Sequence, residues 1–161
     1  MVRAAIIAFG ASLLAMISLP RQSHAFEDKT IAIESSDSEM NAAIEKARES
    51  LPAFWAHYSK PGPGEKGFAL KVRLDEGTKH EHFWLVALEH RGDLIFGKID
   101  NDPELIHNVK SGQVIQVEPD RISDWMYFRN GKIVGNETLR PLLKRMPKTE
   151  ADQYRAMLET P

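Results

Sequence analysis

His80 and His82 stand two residues apart, and on an extended strand that spacing sends both imidazoles to one face, with Glu81 on the other. Two histidines sharing a face begin a zinc-type site, which needs at least one more protein ligand. His57, His90, His107, Glu89 and Asp124 are of suitable type, but no spacing selects one of them. A metal-dependent hydrolase built on His80 and His82 is therefore one expectation. The other is plainer: His80 as a solvated turn residue and His82 as a half-buried hydrogen-bonding one. Thiol chemistry is excluded because the chain has no cysteine. A Gly-x-Ser-x-Gly elbow is absent, and Gly62, Gly64 and Gly67 are followed by no Lys-Ser/Thr at phosphate-loop spacing. No catalytic set is complete and no cofactor is implied, so the favoured expectation is a non-enzymatic binding role.

The elements that must position these residues follow from periodicity. Phe83 to Leu88 is an unbroken apolar run directly after the histidines, as expected of an interior strand covered on both faces. Before it, Phe68, Leu70, Val72 and Leu74 alternate with Lys71 and Arg73, which reads as a strand wet on one side. After it, Arg91-Gly92-Asp93 makes a turn into Leu94 to Ile99, completing an antiparallel meander. Gln113 to Val117 and Asp124 to Phe128 read as two more strands. Asn130-Gly131, which accepts positive φ at both positions, turns the chain into a short sixth strand, Lys132 to Val134.

Two helices flank this sheet. Ser36 and Glu39 stand in capping-box spacing, and Met40, Ile44, Ala47 and Leu51 form one apolar stripe, predicting an amphipathic helix over 36–51. Pro52 interrupts or restarts it, and Phe54, Trp55 and Tyr58 read as core-packing aromatics, with an exposed aromatic platform as the alternative. Thr138 caps a predicted last helix over 138–146, leaving 147–161 as a tail, either docked or loose. The expected fold is α+β: an antiparallel sheet of five to six strands, open or curled toward a small barrel, with an N-terminal amphipathic helix and a C-terminal helix packed on it.

The first 25 residues read as a secretory signal. Arg3 supplies a positive start, Ala4 to Leu19 carry no charge, and Ser23-His24-Ala25 offers a small-x-small cleavage pattern, so the cut is expected after Ala25. Sixteen uncharged residues fall short of the ~20 that a spanning helix needs, so no membrane insertion is expected after cleavage. A single domain over 26–161, with its core at about 36–146, would then act in the periplasm or outside the cell. Removing two arginines takes the formal charge from -2 to about -4. That mildly acidic balance, without a Lys/Arg block, argues against nucleic acid as a partner. A protein or a small envelope ligand is expected instead, in an oligomeric state that the sequence leaves open.

Four ordered motifs run through the second half: Glu81-His82-Phe83-Trp84; Gly97 with Asn101-Asp102-Pro103; Ile122-Ser123-Asp124-Trp125-Met126; and Gly135 with Thr138 and Arg140. Together they resemble the YegJ-like family of bacterial proteins over about residues 40–146. Phe83 stands where that family commonly has methionine or leucine, and Asn136 where it has a second glycine. The resemblance implies a domain of unknown function, often exported; it implies no activity, cofactor or residue role. Read from the residues themselves, Glu81, His82, Asp124, Thr138 and Arg140 are expected to meet in one polar cluster at an end of the sheet. Such a cluster either receives a small anionic ligand or peptide terminus through the forked guanidinium of Arg140, or locks the last helix onto the sheet.

Overall fold

The computed structural model describes residues 37–160. The predicted signal over 1–25 and the Ser36 cap lie outside the described residues. Asp37 provides the cap that is seen: its carboxylate accepts the Met40 N–H at 3.0 Å and also pairs with Arg145, and α1 (Ser38–Glu49) begins beyond it. Met40 and Ala47 on its stripe are buried, while Ile44 and Leu51 are half-covered. Ser50 separates α1 from α2 (Leu51–Ser59), and Pro52 falls in the first turn of α2, where its missing N–H costs nothing. The proline thus restarts the helix. Phe54 is fully buried against Trp55, Phe68 and Trp125, so these aromatics are core rather than platform.

The sheet comprises β1 (Glu65–Glu76), β2 (Lys79–Arg91), β3 (Leu94–Ile99), β4 (Val114–Gln116), β5 (Ile122–Arg129) and β6 (Lys132–Gly135), in spatial order β4-β3-β2-β1-β5-β6. Every neighbouring pair is antiparallel. The two ends of the order, β4 and β6, do not pair, so the sheet is open and does not curl into a barrel. The meander and the Asn130-Gly131 turn follow the sequence pattern, with φ of 51° and 82° at the two turn residues.

Both faces carry a core. Leu70, Val72, Phe83, Leu85, Trp125 and Tyr127 form the larger one under the α1 and α2 side, and Trp125 Nε1 donates to the Ala47 carbonyl of α1 at 2.9 Å. On the opposite face, Ala69, Trp84, Met126 and Ile133 meet Leu139 of α3 (Leu139–Leu142), Leu143, Ala151 of α4 (Lys148–Met157) and Leu158. The tail is therefore docked: Leu158 bridges Ile133 in parallel fashion, and Glu159 N–H donates to the Ile133 carbonyl at 2.8 Å. This second core corrects the expectation that β1 is wet on one side. Lys71 is only 8% exposed, and its ammonium lies 5.2 Å from the centre of the Trp84 ring. The apolar run of β2 also ends differently from the pattern. Phe83, Trp84 and Leu85 are buried, but a bulge between Val86 and Glu89 leaves Ala87 exposed at φ 48°.

Candidate functional site

Asp124 is the organising polar residue. A bulge in β5, where Lys71 pairs with Asp124 and the next β1 residue pairs with Ile122, leaves Ser123 as the extra residue. At the end of β6, Gly135 and then Asn136 take φ of 82° and 54°, turning the chain back so that its next N–H groups point at Asp124. One carboxylate oxygen accepts from Trp125 N–H at 2.8 Å and Glu137 N–H at 3.2 Å. The other accepts from Thr138 N–H at 2.7 Å and the Thr138 hydroxyl at 2.6 Å. Complete burial pushes this carboxyl above its ordinary range, against the opposing pull of the Thr138 donors, Lys71 and the Trp125 N–H. Thr138 is thus no side-chain cap; its hydroxyl serves Asp124, and α3 is a single turn. Having no cap bond, and with Pro147 soon after, the predicted helix over 138–146 shrinks accordingly.

Glu137 carries the arrangement outward. Its backbone is fixed by Asp124, and its carboxylate holds Arg140 Nε at 3.1 Å and Lys46 Nζ of α1 at 2.9 Å. Asp124, Thr138 and Arg140 therefore do belong together, the last through Glu137. His82 shares their face: its Nδ1 lies 2.8 Å from the Ser123 hydroxyl, which itself donates to the Lys71 carbonyl at 3.2 Å. Glu81 stands apart. Strand alternation turns it to the opposite face, where it accepts from the N–H groups of Glu104, Leu105 and Ile106 at 2.9–3.2 Å. The expected five-residue cluster is consequently split, because adjacent strand residues cannot share a face. Its Glu81 member instead ties down the loop after Pro103.

The histidine pair has the predicted common face, with ring centres 6.3 Å apart. Among the described residues, however, no group of three His, Cys, Asp or Glu could hold a metal ion. Asp75, which pairs with His80 across the strands, is engaged by Arg73 and Arg121.

Arg140 opens onto a shallow pocket of about 370 Å³ lined with Leu143, Lys144, Arg155, Leu158, Glu159 and Thr160. Three cationic residues thus belong to the lining of one concavity. Their counter-ions lie off the lining: Glu137 for Arg140, Glu39 for Lys144, Asp152 for Arg155. Each guanidinium has five donors and spends only part of them on those partners, so capacity remains for an oxyanion.

A second polar group was not anticipated from the sequence. Glu65, at the start of β1, has a side chain 3% exposed and accepts from Gly62 N–H at 2.7 Å, Arg129 Nε at 2.9 Å and His57 Nδ1 at 3.0 Å. The Gly62 N–H, then Arg129 and His57, hold its carboxyl below the usual range, against some desolvation. Arg129 reaches further, to the Tyr127 hydroxyl at 2.6 Å and Glu159 at 2.9 Å. The only sequence signal for this group is strand register, since Glu65 and Arg129 are paired residues of β1 and β5.

The chain falls in a bacterial domain family. The model of DUF2314, an uncharacterized protein conserved in bacteria, matches residues 37–159, and the chain belongs to that family. It is 39% identical over 119 residues to the uncharacterized protein YegJ of Escherichia coli (strain K12), covering 74% of this chain and 76% of that protein. It is also 30% identical over 132 residues to a putative ankyrin repeat protein of Neisseria meningitidis serogroup B, covering 77% of this chain. There the chain spans about half of the relative, 52% of its length. No solved structure matches the chain.

Proposed function

We propose that this protein is an exported, non-enzymatic binding module of the bacterial envelope that captures a carboxylate, as a peptide terminus or a small organic anion, at Arg140. The observation that carries this reading is the convergence of Arg140, Lys144 and Arg155 on one pocket whose counter-ions sit outside it. Leu143 and Leu158, both largely buried in the core beneath α3 and α4, complete the lining behind these cations. The leader-like pattern of residues 1–25 supports export, and the protein or small envelope ligand expected from the sequence would meet the pocket there.

The test is calorimetric titration with acetyl-Ala-Ala bearing a free carboxylate, beside its C-terminal amide. The free acid binds and the amide does not. Arg140→Gln weakens the acid by roughly tenfold or more, the worth of a charge-assisted hydrogen bond. Equal affinity for acid and amide, or an unaltered Arg140→Gln variant, would remove the pocket from consideration. Processing of the leader is checked separately by the N-terminal residue of protein recovered from the periplasm.

A further inference from the structure

We infer that Arg129 is a specificity-determining residue of the pocket, because it keeps Glu159 from neutralising the three cations. The inference rests on reading the pocket as an anion site. Glu159 is the one acidic residue on the lining, yet its carboxylate is bound by Arg129 at 2.9 Å, and Arg129 is not on the lining. What Glu159 turns toward Arg140 is its backbone carbonyl, 3.5 Å from Nη2. The backbone cannot follow the side chain, since Glu159 N–H is held by the Ile133 carbonyl of β6.

Arg129 is itself anchored from behind. Its Nε is held by the buried Glu65, which Gly62 N–H and His57 fix in turn, and another guanidinium nitrogen donates to the Tyr127 hydroxyl. Its remaining contact, to Glu159, is therefore aimed by residues of β1, α2 and β5 that never touch the pocket. Released from Arg129, a flexible glutamate whose backbone already borders Arg140 has Arg140 and the other pocket cations as alternative partners. It would occupy them in place of an external carboxylate. The chain thus carries an internal competitor, and Arg129 holds it aside.

The experiment is a double-mutant cycle with the same acetyl-Ala-Ala probe, on variants whose folding is verified by cooperative melting. Arg129→Gln is expected to weaken the probe by roughly tenfold, a modest share of the Coulomb interaction of a like charge placed inside the site. Glu159→Gln alone supplies the reference corner against which the double variant is read. The double variant recovers the affinity that Arg129→Gln lost. An unchanged Arg129→Gln protein, or a double variant as weak as the single, overturns the inference. If the wild type binds no probe, the anion-site reading fails, and the role of Arg129 is decided by NMR of the Glu159 carboxyl carbon. In Arg129→Gln its titration then shifts on adding Arg140→Gln if the side chain has entered the pocket; insensitivity to that second change rejects the inference.

Discussion

Replacing Asp124 with asparagine keeps the shape of the side chain and removes one acceptor oxygen. Two donors converge on each carboxylate oxygen, three of the four being backbone N–H groups that cannot rotate away. With its NH₂ turned toward Thr138, the amide donates to the Thr138 hydroxyl, which rotates to accept, and one buried group, the Thr138 N–H, is left without an acceptor. The loss is about 1–3 kcal/mol for that group, partly offset because a buried charge is no longer desolvated. The pH dependence gives a sharper check. Burial raises the Asp124 carboxyl above its unfolded value, so the folded state binds its proton more tightly than the unfolded chain does. The stability linked to that proton is complete below the unfolded pKa of about 4 and is lost as pH rises through the folded one. Asparagine lacks this titration. Urea unfolding of both proteins from pH 4 to pH 8 should therefore show Asp124→Asn costing most at the acid end and less toward neutrality. A cost under about 0.5 kcal/mol throughout, or one that grows with pH, would refute the account of this carboxylate.

Glu65 should behave with the opposite sign. Its carboxyl is held low by the Gly62 N–H, Arg129 and His57, so its contribution is present above the unfolded pKa and fades as pH falls through the folded one. Glu65→Gln accordingly destabilises most near neutrality and least in acid, read by the same unfolding series. Gly135→Ala is expected to cost about 3 kcal/mol or more in thermal or urea unfolding, because φ is 82° and a Cβ there would meet the Trp125 carbonyl oxygen at 2.5 Å. A cost below 1 kcal/mol would mean that the turn after β6 has room to relax.

The strands were legible because period-two alternation survives wherever one face differs from the other, as it does from Phe68 to Leu74. What alternation could not disclose was the second cover. Nothing local to Lys71 reveals that residues 139–158 will return over its face, so its burial beneath Trp84 belongs to tertiary structure. The same rule did contain the fate of Glu81: a strand residue beside His82 must face away from it, and the amides at 104–106 take it up. The cap was off by one residue because Ser36 and Asp37 both satisfy N-cap chemistry, and only Arg145, over a hundred residues later, adds a partner to Asp37. The Glu65–Arg129 pair was hidden for the same reason, since β5 joins β1 across three intervening strands of sequence.

These particulars place the proposed anion pocket on the face covered by α3 and α4 rather than at an end of the sheet. Gly135 and Asn136 turn the chain in a left-handed step; that step aims the N–H groups of Glu137 and Thr138 at Asp124; and the fixed Glu137 sets Arg140 at the pocket. From the other direction, Glu65 sets Arg129, and Arg129 withholds Glu159. Two buried acids on different strands thus bear on the proposed pocket, Asp124 on Arg140 through Glu137 and Glu65 through Arg129 and Glu159. A substitution at either acid should alter anion binding at a distance, and the two effects should be separable because Asp124 acts through the position of a cation while Glu65 acts through the exclusion of a competitor. Glu159→Gln distinguishes them: it relieves the consequence of losing Glu65 and leaves that of losing Asp124 untouched.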